Sequence, residues 1–127
     1  MANTYKNNVS TVTSTGSDIA IYTCPSNATA IVNTIFVYNG TGGSADFTIT
    51  LHDTSAGTSA KIYFKSGLST LATDTVLGSG NVVVLEDSDI LKINTTAQPL
   101  DVTVSVLQIT RAWFKRKIWV IMNKSTE

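Results

Sequence analysis

From Leu100 onward the chain alternates: Val102, Val104 and Val106 share one parity, and Asp101, Thr103 and Ser105 the other. Such a rhythm marks a strand in a sheet with one buried and one wet face. At Val106-Leu107 the phase slips, because Leu107 and Ile109 take the opposite parity, which predicts either a bulge or a strand whose second face is also covered. Upstream, the apolar run Val82–Leu85 is interrupted by Glu86-Asp87-Ser88-Asp89 and resumes at Ile90–Asn94. Two short apolar runs around a polar tetrad predict a hairpin whose loop is closed by Asx and Ser side chains. Pro99 ends the second run. Residues 81–110 thus predict three consecutive strands.

The earlier chain repeats this habit. Thr4–Thr13 is rich in Thr, Val and Asn and predicts an edge strand or an extended arm. Ile19, Ile21 and Thr23 alternate with Asp18, Ala20 and Tyr22 up to Cys24-Pro25. The longest candidate is Ala28–Asn39, where Ile31, Ile35 and Val37 share one parity and Val32, Phe36 and Tyr38 the other, so both faces are candidates for cover. Asn39-Gly40-Thr41-Gly42-Gly43 is the clearest turn signal and predicts a hairpin. Phe47, Ile49 and Leu51 alternate with Asp46, Thr48, Thr50 and His52. Ile62 and Phe64 alternate with Lys61, Tyr63 and Lys65 after a loop at Ala56-Gly57-Thr58. A weaker strand is expected over Leu71–Leu77.

Roughly seven to nine short strands, with turn signals every ~8 to 12 residues and no convincing helix before residue 110, predict an all-β fold. The specific expectation is a single antiparallel β-sandwich, Ig-like or jelly-roll, over residues 1–110, followed by a basic and aromatic C-terminal extension over 111–127.

A length of 127 residues suits one domain with a core of its own. Charged residues make up only 14 % and Ser and Thr abound, a composition for strands rather than helices or disorder. The single cysteine, Cys24, excludes an internal disulfide framework. No apolar run approaches the ~18 residues of a membrane span, and MANTYKNNVS lacks a signal-peptide core, so synthesis in the cytoplasm without standard export is expected. The formal net charge of zero hides an asymmetry: residues 1–110 carry four lysines against eight acids, and residues 111–127 carry five cations against Glu127. An acidic body with a basic tail suggests two segments with different work.

Candidate chemistry is thin. Glu86, Asp87 and Asp89 offer oxygen donors for a hard cation, but no EF-hand spacing surrounds them and a solvated loop is the expectation. His52 is the only histidine and lies on the polar parity of its strand, without a recognisable partner for acid–base work. There is no GxSxG elbow, and GTGGSA lacks the lysine and following helix of a phosphate loop. The expectation is a protein that is not an enzyme and holds no cofactor or metal.

The unusual stretch is RAWFKRKIWVIMNKSTE, residues 111–127, which holds both tryptophans. Trp113, Phe114, Arg116, Ile118 and Trp119 are the candidate partner-binding residues, since buried aromatic and Arg side chains anchor interfaces. A docking arm on a neighbouring subunit and an added strand of the sandwich are the leading readings. Nucleic-acid binding, by stacking and phosphate contacts, and an interfacial membrane segment stand behind them.

MANTYKNN at the start, then IYTCPSNATAIVNTIFVYN, VVVLEDSDILKIN and VTVSVLQIT together resemble small virion structural proteins of tailed bacteriophages, marine and cyanobacterial ones especially. In that family a MANTYKN-like start is followed by a TLYT-x-P-like strand end, a T-A-I-V strand, an L-E-x-x-D-x-L hairpin and a V-x-V-S-V-L-x-I strand. The likeness covers about residues 1–110, and its motifs are structural rather than catalytic. It implies a β-sandwich subunit of the particle: a capsid decoration (cement) protein, or a neck, tail or tail-fibre component. The implied partners are further copies of itself in a homo-oligomer such as a trimer, and the major capsid protein or other virion proteins. A carbohydrate-binding module is the alternative, with Tyr22, Tyr38, Tyr63 and Phe64 as available aromatics.

Overall fold

In a computed structural model, which describes residues 2–77 and 80–110, the chain forms nine strands and no helix among the described residues. They are β1 (Ala2–Val12), β2 (Ile19–Thr23), β3 (Ala28–Asn39), β4 (Ala45–Asp53), β5 (Thr58–Leu68), β6 (Thr73–Thr75), β7 (Val83–Leu85), β8 (Ile90–Thr95) and β9 (Leu100–Thr110). All pair antiparallel, in two sheets. The first has the order β1-β9-β3, with β6 and β7 sharing the far side of β3; the second has the order β2-β8-β4-β5. The expected all-β sandwich is what forms.

Strand order separates the two topologies. Consecutive strands β1 and β2, β3 and β4, and β8 and β9 hold corresponding places in opposite sheets, and so do β5 and the β6/β7 pair. Only β4–β5 and β6–β7 are joined within one sheet. This is the double wrapping of a jelly roll, with β6 and β7 together filling one of its eight places.

Two expected hairpins are therefore corrected. Glu86–Asp89 joins β7 in the first sheet to β8 in the second, and Asn39–Gly43 joins β3 to β4 across the same gap. Both are corners, and buried polar side chains hold them. Asp89 is buried and accepts from the backbone N–H of Thr54 (3.2 Å) and of Glu86 (3.0 Å). Asn39, fully buried, donates through Nδ2 to the carbonyls of Gly43 (2.9 Å) and Leu68 (2.8 Å), while its Oδ1 accepts from Thr41 N–H (2.8 Å). A buried amide needs such full use of its donors and acceptor to offset its desolvation.

The phase slip resolves on the neighbouring strand. β9 keeps one parity throughout: Leu100, Val102, Val104, Val106 and Gln108 are buried, and Leu107 and Ile109 lie on the outside. The extra residue is Asn33 in β3, bulged between the partners of Val106 and Ser105. The bulge lets Val32 and Ile35 both face inward despite their opposite parities. In β5, Tyr63 turns inward to Phe47 (ring centroids 5.9 Å apart), while Ile62 and Phe64 are exposed. Between the sheets lie Val12, Ile21, Ile35, Val37, Phe47, Ile49, Leu91, Ile93 and the inner β9 valines, all essentially inaccessible. Burial of such side chains, each contributing about 1.5–3 kcal/mol, drives the two faces together.

Candidate interaction surface

The outward positions of the first sheet form apolar rows across the strands. Tyr5 of β1 lies opposite Leu107 of β9, Leu107 opposite Ile31 of β3, and Ile31 opposite Val84 of β7. One apolar residue from each of four strands thus lines up on one register line. Tyr5 is 80 % exposed and Val84 51 %, with Ile31 and Leu107 half-buried between them. A second row runs from Val9, 67 % exposed, through Thr103 to Phe36. The outer face of a solvated antiparallel sheet normally reads polar, so these rows are the departure that needs a reason. The Asn33 bulge adds a depression of about 250 Å³ bordered by Tyr5, Asn7, Asn33 and Ser105.

The candidate partner-binding residues of the C-terminal segment are elsewhere in the chain. Trp113, Phe114, Arg116, Ile118 and Trp119 lie outside the described residues, as do both readings of 111–127. The last described residue, Thr110, stands between β1 and β3, paired with Ala2 and Ala28. β9, which Thr110 ends, is an inner strand of the first sheet. Tyr5 and Val9 were hidden in a segment read as polar; their shared parity was the available signal. Apolar residues on both parities of β3 were the other one.

The second sheet is different outside. Asp18, Thr48, Thr50, Ser59, Lys61 and Asn94 line a shallow polar trough of about 250 Å³, in which Asn94 Nδ2 donates to Asp18 Oδ1 at 3.1 Å. Phe64, 63 % exposed, is the register partner of Thr48 in that trough. The other candidate aromatics do not join it: Tyr22 is buried, Tyr63 faces inward and Tyr38 belongs to the first sheet. Burial raises the Tyr22 hydroxyl's pKa, partly opposed by Gln108 Nε2, which donates to its oxygen at 2.6 Å. Desolvation and then the Asp74 carboxylate, which accepts from Tyr63 Oη at 2.5 Å, push Tyr63 up to about 12. Both hydroxyls tie one sheet to the other.

The remaining candidates are engaged structurally. His52 Nδ1 is 2.7 Å from Ser59 Oγ, a cross-strand pair of the β4–β5 hairpin. Asp53, next to it, turns instead to Ser55 Oγ and Ala56 N–H, which hold its carboxyl below the usual range. The two aspartates of the tetrad accept from different backbone groups, Asp87 from Asn27 N–H and Asp89 from Thr54 and Glu86 N–H. Among the described residues no three His, Cys, Asp or Glu side chains are grouped to hold a metal ion, and no helix is long and apolar enough to cross a membrane. Cys24 is buried, its thiol directed at the carbonyls of Ala28 and Leu85. No protein-family model, curated protein or solved structure matches this chain.

Proposed function

We propose that the protein is a non-enzymatic structural subunit of a bacteriophage particle, made in the host cytoplasm and seated on the capsid as a decoration (cement) protein. The observation that carries this reading is the pair of apolar rows on the outer face of the first sheet, with Tyr5, Val9, Phe36 and Val84 exposed on it. The whole face, four strand positions about 4.8 Å apart and about 36 Å long with polar residues between the apolar rows, gives a footprint of roughly 700 Å². That is close to the ~800 Å² per partner of a standard protein interface. The motif likeness to phage structural proteins over residues 1–110 and the jelly-roll wrapping agree with it, the latter by fold-level analogy only. A subunit of this kind works by burying its face across adjacent shell subunits, so that expansion under the packaged genome must break those contacts. Many copies on a symmetric lattice multiply a modest individual affinity.

The test is addition of purified protein to capsids that lack it. Saturable co-sedimentation at a fixed ratio, lost in Tyr5→Lys with Phe36→Lys, is the expected result. Binding to isolated necks or tails but not to shells would replace decoration with a neck, tail or tail-fibre role.

A second reading, carbohydrate binding, draws on the trough of the second sheet, where hydroxyls, an amide, a carboxylate and Lys61 sit beside Phe64. A sugar ring would stack on Phe64 and hydrogen-bond into the trough. A glycan array with hits abolished by Phe64→Ala would favour it over decoration.

A further inference from the structure

Every open sheet has two edges, and natural proteins blunt them against unwanted pairing. Three of the four edges here are blunted. β2 is five residues long and bulged between Ala20 and Tyr22. β5 shifts register twice against β4 and carries Lys61 and Lys65. The far edge of the first sheet is broken into β6 and β7, three residues each. β1 has no such device. It runs eleven residues in one unbroken register, from Ala2 opposite Thr110 to Val12 opposite Leu100, with no proline and one charge, Lys6. Among the described residues nothing pairs with its outer side.

We infer that β1 is an assembly edge taken up by β1 of a second copy, antiparallel and two-fold symmetric about Asn7. The residues of β1 select both the occupant and the register. Centred on Asn7, Tyr5 of one copy lies opposite Val9 of the other on the outer face, and Lys6 lies opposite Asn8 on the inner. Centring on Lys6 would oppose two like charges, and centring on Asn8 would set Tyr5 against Thr11 and Val9 against Asn7. The Asn7 register also joins the apolar rows. Val84, Ile31, Leu107 and Tyr5 of one molecule run on into Val9 and Phe36 of the next. Pairing of Asn3–Thr11 along about 30 Å makes a continuous sheet with a doubled apolar face. This deepens the decoration reading, since a two-copy tile presents twice the docking area. Its test uses the purified full chain without shells, so it stands or fails separately.

Sedimentation of the wild-type chain should show a concentration-dependent dimer. Asn7→Lys brings two ammonium groups together at the axis and should weaken it ~10-fold or more, and Asn7→Asp should act likewise. Mixing those two variants should restore a dimer containing one of each. Asn7→Cys should oxidise to a crosslinked pair, because directly opposed residues stand ~4.5–5.5 Å apart between Cα atoms. Thr11→Cys should not, its symmetry mate lying about eight residues, ~27 Å, away. The native Cys24 is buried and does not compete. A monomer at all concentrations, equal crosslinking of the two cysteine variants, or a dimer indifferent to Asn7→Lys but lost on removing 111–127 would each overturn the inference.

Discussion

Asn39 offers the sharpest test of how the sandwich turns its corners. It ends β3, has no exposed surface, and ties β3, the glycine-rich corner and the end of β5 together through its side chain. Its main chain is held too, donating to Ala72 (2.9 Å) and accepting from Leu71 N–H (2.8 Å). Asn39→Ala removes the three side-chain bonds. Gly43 O keeps a bond from Thr41 Oγ1 at 2.6 Å, so the main losses are at Leu68 O and Thr41 N–H. Each buried group left without its partner costs about 1–3 kcal/mol, so the substitution should cost about 3–4 kcal/mol. At about 4 °C per kcal/mol for a domain of this size, Tm falls by roughly 12–16 °C. Asn39→Asp is nearly isosteric and sharper still. It keeps an acceptor for Thr41 but turns a second oxygen toward two carbonyls, which raises the folded pKa of the new carboxyl. A raised folded pKa means stability that is present below the unfolded value, about 3.9, and lost as pH rises through the folded one. Asn39→Asp should therefore be weaker at pH 7 than near pH 4 relative to wild type, in thermal melts followed by circular dichroism. A drop under about 4 °C for Asn39→Ala, or wild-type stability of Asn39→Asp at pH 7, would refute the account of this corner.

Tyr63, raised to about 12, contributes stability that is complete below pH ~10 and disappears between there and its folded pKa. Tyr63→Phe should flatten the fall of Tm with alkaline pH, read in melts from pH 8 to 12. Ser10 Oγ is buried with no hydrogen-bond partner among the described residues, so Ser10→Ala should leave urea stability unchanged or raise it by up to ~1 kcal/mol. Deleting 112–127 should leave Tm within a few degrees of wild type, because two paired sheets and a common core form among the described residues. The same deletion should weaken shell binding if the segment docks on a neighbour. Collapse of Tm would instead make it part of the domain.

The strands themselves were legible, because a period of two is a local property and the Val102–Val106 alternation is enough to show it. The inward row Val102, Val104 and Val106 of β9 follows from residues within a few positions of one another. Partnership is not local. Nothing in Glu86–Asp89 or Asn39–Gly43 says whether the next strand returns to the same sheet or crosses to the other, since tight hairpins and sandwich corners use the same Asn, Asp and Gly chemistry. That was decided by distant pairings such as Ala30 with Leu85 and Ile49 with Ile93. The parity change in β3 is similar: Asn33 resembles its neighbours in sequence, and only its register against Val106 and Ser105 makes it a bulge. The apolar rows are likewise a tertiary product. Tyr5, Leu107, Ile31 and Val84 are scattered along the chain, and alignment of four strands gathers them on one line. Local hydrophobic rhythm determines which segments extend; long-range register, set by how two faces bury against each other, determines which apolar residues are left over for a partner.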